Sequence, residues 1–323
     1  MIQDDRILKR IFTNANIHTL DTKCPSTQAM AVLGGSVYAL GSNSDIRALV
    51  RDGFQETDLG GKTVLPGFID THCHAISLGM NIETWVGVEE ATSVSDIKTR
   101  LKERVEQTPK GEWIKGRGWC VGHLYPEMPT RWDLDVVAPD NPVVLIDSSG
   151  HISVVNSKAL ELAGVGPDTV DPVIGGKIDK DPETGEPNGI LRELATYKLA
   201  WQKGPIPTEK ELLNAARLLC HRAASTGITS LSVIMIPLPS EDGTMSYSHL
   251  ELKPFFTLHQ REELITRIRL MVQAYRVIGD GNDHTFLDRM IGLGLVSGFG
   301  DDFLEIGGVK IIADGSIWPE PQP

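Results

Sequence analysis

Cysteine is scarce in this 323-residue chain, and the four present, Cys24, Cys73, Cys120 and Cys220, form no C-x-x-C pair. They read as free thiols of a reducing compartment, not as a disulfide framework. Long apolar runs are missing too: none approaches the roughly 20 residues that span a bilayer, so no membrane partner is expected. Basic charge is in deficit, with 31 Lys and Arg against 43 Asp and Glu and a formal net charge of −12. A nucleic-acid surface needs a basic stripe, and that partner is excluded. The N-terminal MIQDDRILKR mixes acids with bases and holds no apolar core of a secretory signal, so a cytoplasmic location is expected. No G-x-x-x-x-G-K-S, G-x-S-x-G or H-E-x-x-H occurs, which argues against several rival chemistries.

What is present is concentrated in Val64-Leu-Pro-Gly-Phe-Ile-Asp-Thr-His72-Cys-His74. Apolar Val64, Leu65, Phe68 and Ile69 lead into two histidines one residue apart. Side chains alternate along a strand, so His72 and His74 share one side and Cys73 takes the other. Two imidazoles at the end of a strand hold a divalent metal, with zinc the usual choice for nitrogen donors. The bland alternative is a pair of ordinary histidines just past a strand. Asp70 shares the parity of the pair and reads either as a carboxylate orienting a ligand histidine or as a strand-end cap.

Along the chain, Ile7 to Ile17, Ala29 to Leu33 and Ser36 to Leu40 read as strands, with a hairpin turn at Gly34-Gly35 and a short helix over Asp45 to Val50. From Val64 onward, strands alternate with helices. Ile97, Leu101 and Val105 form one helical stripe, and Trp113 to Lys115 and Val143 to Ile146 are strands. A helix follows from about Ser153 to Leu162 and stops at Gly164. Residues 170–190 read as a hairpin excursion around Asp181-Pro-Glu-Thr-Gly185. Thr208-x-x-Glu211 is a capping box for a helix with Leu212, Ala216, Leu219 and Ala223 on its apolar face. Ile228 to Ile234, Arg269 to Ala274 and Val309 to Ile312 are later strands, with a helix near Glu262–Ile268. Strands alternating with helices mean a parallel α/β sheet.

Lys310 sits in the apolar strand Gly-Gly-Val-Lys-Ile-Ile, where a lysine is out of place and must be paired or neutralised. It reads as a further metal ligand, or as a lysine that snorkels to the strand end or pairs with Asp314. Asp314 is also a candidate neighbour of the metal shell. Arg117 and Trp119 follow the second strand and are candidates for lining a pocket. His151 lies between a strand and a helix and reads as a structural histidine that caps the helix.

The string PGFIDTHCHA resembles the first metal-binding strand of the amidohydrolase superfamily, and GRGWC (116–120), GHISVVNSKAL (150–160), GGKIDKDPETGEPNGILRE (175–193) and GGVKIIADGS (307–316) extend the likeness. Together they resemble the metal-dependent amidohydrolase family 3 branch, with the N-substituted formamide deformylases and exoenzyme regulatory protein-like hydrolases. The resemblance implies a (β/α)₈ barrel over 65–323, with an inserted hairpin-containing region around 165–205, beside an N-terminal β-sandwich subdomain over 1–64. It implies a carboxylated Lys310 bridging two metals, one or two ions in all, and a substrate-facing His151. Ser149 stands where relatives often carry an acid, and Cys120 where an acid is usual. The implied reaction is hydrolysis of a small-molecule amide or N-substituted formamide by a metal-activated water.

The family continues beyond residue 323, so the resemblance implies a chain truncated after five or six barrel strands, without the later histidines and the general-base aspartate. Weak activity and self-association through the open barrel edge are the corresponding expectations. The alternative is a non-catalytic remnant with a metal-binding or structural role.

Overall fold

The structure is a computed structural model that describes residues 9–50, 53–124, 126–171, 176–193, 195–196, 207–235, 252–274 and 296–311. The chain divides into two compact units, residues 1–68 and 69–323.

The first unit is built from short strands: β1 (Lys9–Thr13), β2 (Asn16–His18), β3 (Ser26–Thr27), β4 (Ala29–Leu33), β5 (Ser36–Gly41), β6 (Gln55–Asp58) and β7 (Thr63–Val64). They form a four-stranded sheet in the order β5-β4-β1-β6 and a three-stranded sheet in the order β3-β2-β7. The Gly34-Gly35 turn joins β4 to β5 with both residues at positive φ, which glycine adopts without steric cost. Helix α1 (Asn43–Leu49) opens on a capping box between Ser42 and Asp45. Its Ile46 joins Ile11, Ala29 and Ala31 in a small core.

In the second unit, β8 (Phe68–Cys73) leads into α2 (Ala75–Glu83), then β9 (Val86–Gly87), α3 (Val94–Val105), β10 (Ile114–Trp119), α4 (Val121–Leu124), α5 (Arg131–Val137), β11 (Val143–Asp147), β12 (Ile152–Val155) and α6 (Ser157–Ala163). β13 (Gly176–Lys180), β14 (Pro187–Glu193), α7 (Glu209–Ser225), β15 (Ile228–Met235), α8 (Leu252–Gln260), β16 (Arg267–Ala274) and β17 (Leu304–Ile311) follow. One sheet has the order β13-β14-β12-β11-β10-β9 and another β17-β16-β15-β8.

Two sheets replace the single parallel wall that the alternation suggests, and among the described residues no barrel closes. β9, β10 and β11 are parallel, as are β15, β16 and β17, but β12, β14 and β13 add antiparallel strands beside β11. The run Ile152-Ser-Val-Val155, β-branched at three of its four positions, favours the added strand. It pairs with β11 and moves the start of the following helix from Ser153 to Ser157. The helix read near Glu262–Ile268 lies earlier, at Leu252–Gln260, and Glu262, at φ 55°, stands in the turn that follows it.

The main core joins both sheets to the helices: Val144 and Ile146 of β11, Leu231 and Val233 of β15, Ile268 and Leu270 of β16, and the inner faces of α2, α7 and α8. Gly79 allows α2 and α7 to touch, because a Cβ there would overlap the Ala215 carbonyl. A second cluster covers the other face of β10 and β11 with Ile97, Leu101 and Leu134. Among the described residues no helix is long and apolar enough to cross a membrane.

Asn156 ties the six-stranded sheet to its helices. It is fully buried, accepts from the backbone N–H groups of Val143 and Ala159, and donates to the carbonyls of Ala138 and Asn141. Replacement by alanine strands four backbone groups without partners, and such losses cost about 1–3 kcal/mol each. Asn156→Ala is therefore expected to lower unfolding stability by at least about 2 kcal/mol in urea titration. A loss below about 0.5 kcal/mol would show that the network is dispensable.

Candidate metal centre

Strand alternation in β8 sorts its side chains. Cys73 is buried in the main core, whereas His72 is exposed and Asp70 is half-buried. His74 follows β8 as the residue before α2 and makes no side-chain cap to the helix. The His72 and His74 rings lie with centroids 5.4 Å apart, tilted by 54°. Burial pushes His74 down to about 4, helped by the His72 ring and then by the charges of Arg117, Lys310 and His151. The four residues named for this site on sequence grounds therefore bear on one imidazole, although they come from β8, β10, β17 and the turn after β11.

Lys310 reaches this region through register. β17 pairs Val309 with Val272 and Lys310 with Gln273, after a bulge at Gly307. Ile268, Leu270 and Val272 alternate into the core, so Val309 shares their side and Lys310 lies on the opposite one. Without the one-residue bulge, the helix-covered side would receive the lysine.

Arg117 is held by two elements. Its guanidinium donates to Ser77 Oγ at 2.5 Å, which links β10 to the first turn of α2. Gly150, at φ 82°, lies so close that a Cβ would stand 3.2 Å from Arg117 Nη2. Asp147 shapes this turn: it is buried and accepts from the N–H groups of Ser149, Gly150 and Ile152 and from Ser149 Oγ. His151 then meets Glu193, with Nδ1 2.7 Å from Oε2.

Several expectations change. Trp119 does not line a pocket; it is wholly buried in the second core cluster and its indole N–H donates to the Leu145 carbonyl. Asp70 engages the backbone N–H of His72 at 3.0 Å, the strand-end cap and not an imidazole. Asp314 lies outside the described residues. Asp147 and Glu193 escaped the sequence reading. No local pattern joins Glu193 to His151, 42 residues away.

Two imidazoles on adjacent alternate positions, one kept neutral by burial, fit a divalent metal, because the neutral ring is the binding form. Among the described residues no group of three or more His, Cys, Asp or Glu is placed to hold an ion. His72 and His74 are thus a pair of candidate donors, and Lys310 is a further candidate from a residue type outside that set.

A model of the amidohydrolase family matches residues 55–319. The chain belongs to the amidohydrolase family. This family member is 30% identical over 311 residues to LONG AFTER FAR-RED 3 of Arabidopsis thaliana, across 95% of its own length and 50% of the relative. It is 29% identical over 292 residues to the N-substituted formamide deformylase of Arthrobacter pascens, across 85% of its length and 54% of the relative. A metal-dependent hydrolase from Pyrococcus horikoshii shares its structure with a TM-score of 0.65 and 25% identity, over 95% of this chain and 55% of that one. The chain thus spans about half the length of the relatives it matches. The motifs and these relatives point to the same branch.

Two measurements check the geometry. Burial raises Cys73 to about 12, with Asp70 and Cys220 adding to it, and raises Cys220 to about 11. At pH 8 only about one Cys73 in ten thousand is then a thiolate. A charged thiol reagent is expected to label exposed Cys24 quickly and to leave Cys73 and Cys220 unlabelled in the native chain. Labelling of Cys73 as fast as Cys24 would mean that β8 faces the other way.

The second concerns acid. His74 sits near 4 in the folded chain, below the ordinary 6.5 of an unfolded one. Falling pH protonates the unfolded state first, so the His74 contribution is present above about pH 6.5 and drains away toward 4. In chelator-treated protein the urea midpoint is expected to fall over that window, and less steeply in His74→Asn. Identical slopes in both proteins would remove the burial argument.

Proposed function

We propose that this chain is a metal-binding hydrolase that cleaves non-peptide C–N bonds in small amides, N-substituted formamides foremost. One observation carries the reading: the His72 and His74 rings lie 5.4 Å apart at the end of β8, and Arg117, His151 and Lys310, from three other elements, act on the charge of His74. Family membership supports a hydrolase of C–N bonds. The deformylase name of one relative and the metal-dependent title of the similar structure support the amide and metal assignments.

His72 and His74 would hold the ion, with Lys310 completing the set, and zinc is the usual metal for such nitrogen donors. A divalent metal bound there supplies a polarised carbonyl and a water acidic enough to attack it near neutral pH. The chain's own groups do the rest. Burial keeps the His74 ring deprotonated and available as a donor. Arg117, braced by Ser77, places a cation beside the site, where it favours the negative charge that builds up as an amide carbonyl is attacked. The Asp147 turn fixes where His151 stands.

The test is direct. Purified chain loaded with zinc and dialysed should retain about one metal per chain by elemental analysis, and His72→Ala/His74→Ala should lower retention at least about tenfold. Amine release from an N-substituted formamide should depend on the added metal and vanish in the double variant. Retention indifferent to that substitution would sink the site. Retention without turnover would favour a metal-binding role.

A further inference from the structure

His151 and Glu193 are 42 residues apart, yet two bonds join them. Glu193 donates its backbone N–H to the His151 carbonyl at 2.7 Å, and its carboxylate meets His151 Nδ1 at 2.7 Å. Strand pairing builds the meeting: β12 and β14 run antiparallel with Ile152 opposite Arg192, which brings their neighbouring ends together. Glu193 takes φ 51°, a left-handed conformation that a non-glycine residue adopts only where its surroundings hold it there. The histidine side is equally constrained, since Ser149 Oγ accepts the His151 N–H and Asp147 in turn accepts from Ser149 Oγ. Both side chains keep about a third of their surface in solvent, 39% and 35%. His151 also stands near enough to act on the charge of His74. Among the described residues no group bonds its Nε2.

We infer that Glu193 is a positioning residue: it fixes His151 with the proton on Nδ1 and leaves Nε2 as an acceptor for the N–H of a bound amide. The chemistry is simple. An ionised carboxylate only accepts, so the Nδ1 that contacts it carries hydrogen. In a neutral ring the other nitrogen then presents a lone pair. A lone pair at the site selects ligands with a donor, namely amides bearing at least one N–H, over N,N-disubstituted ones. For the ligand class the inference rests on the amide-hydrolase reading; for the tautomer it rests on the dyad alone.

The experiment uses the 323-residue chain with ¹⁵N-labelled histidine at pH 7.5. Long-range proton–nitrogen spectra report the tautomer, and His151→Gln identifies the His151 signals. The wild-type ring should show a protonated Nδ1 and an unprotonated Nε2. Glu193→Gln, whose amide oxygen still accepts, should keep that pattern, and Glu193→Ala should give mixed tautomers. Titration with N-methylformamide should move the Nε2 resonance, and N,N-dimethylformamide should need about tenfold more for the same shift, the effect of one lost hydrogen bond. Neither reading needs turnover, so an inactive chain that shows both effects counts against the hydrolase reading only. A ring protonated on Nε2, or an equal response to the two formamides, overturns the inference. If Glu193→Ala does not fold, the wild-type tautomer and the two titrations decide.

Discussion

The alternation of β8 is the constraint on which the rest of the site depends. One residue separates a thiol buried at 3% exposure from an imidazole on the opposite side. Because side chains repeat with a period of two, a slip of one residue would exchange them. It would bury His72 among Ile76, Leu212 and Leu231 and expel Cys73. Burying an unpaired imidazole is costly, and the thiol behaves as a small hydrophobe that belongs inside. The core therefore sets the register, and the register presents the histidines.

Two buried polar side chains at the two ends of the β11–β12 pair govern the other half of the site. Asn156 closes the helical end by capping α6 and catching two loop carbonyls. Asp147 closes the opposite end by gathering the turn Ser148–Ile152 around its carboxylate. Both satisfy groups that the antiparallel excursion would otherwise leave unpaired, as buried polar groups require. Precision at His151 follows from this, because its backbone is held on both sides before its ring meets Glu193.

How much of this was legible in the sequence depended on range. The β8 motif, the Thr208–Glu211 capping box of α7 and the Ser36–Leu40 strand are local patterns, and local patterns were readable. The sheet arrangement was not. Ile152–Val155 carries the composition of a strand, but only its pairing with β11 distinguishes it from the start of a helix. Trp119 illustrates a second limit, since a tryptophan beside a glycine pair suits a pocket wall and a core equally until Leu145 and Leu134 are found around it. Glu193 shows the third: nothing near it in sequence announces a histidine 42 residues away. Lys310 is out of place in an apolar strand, yet its side of the sheet is set by the bulge at Gly307, which a pair of glycines hints at without fixing.

Charge ties these pieces together. The chain as a whole is strongly acidic, with a formal charge of −12, but the groups acting on His74 are two cations and two further imidazoles. Distant surface acids are screened within about 8–10 Å at ordinary ionic strength, so the local set decides. That set opposes a proton on His74 and favours any negative charge that arrives beside it. A neutral imidazole donor and a field receptive to developing negative charge are the two electrostatic conditions that metal-assisted attack on an amide carbonyl demands. Neither arises from one residue; burial supplies the first and the convergence of four strand ends and turns supplies the second.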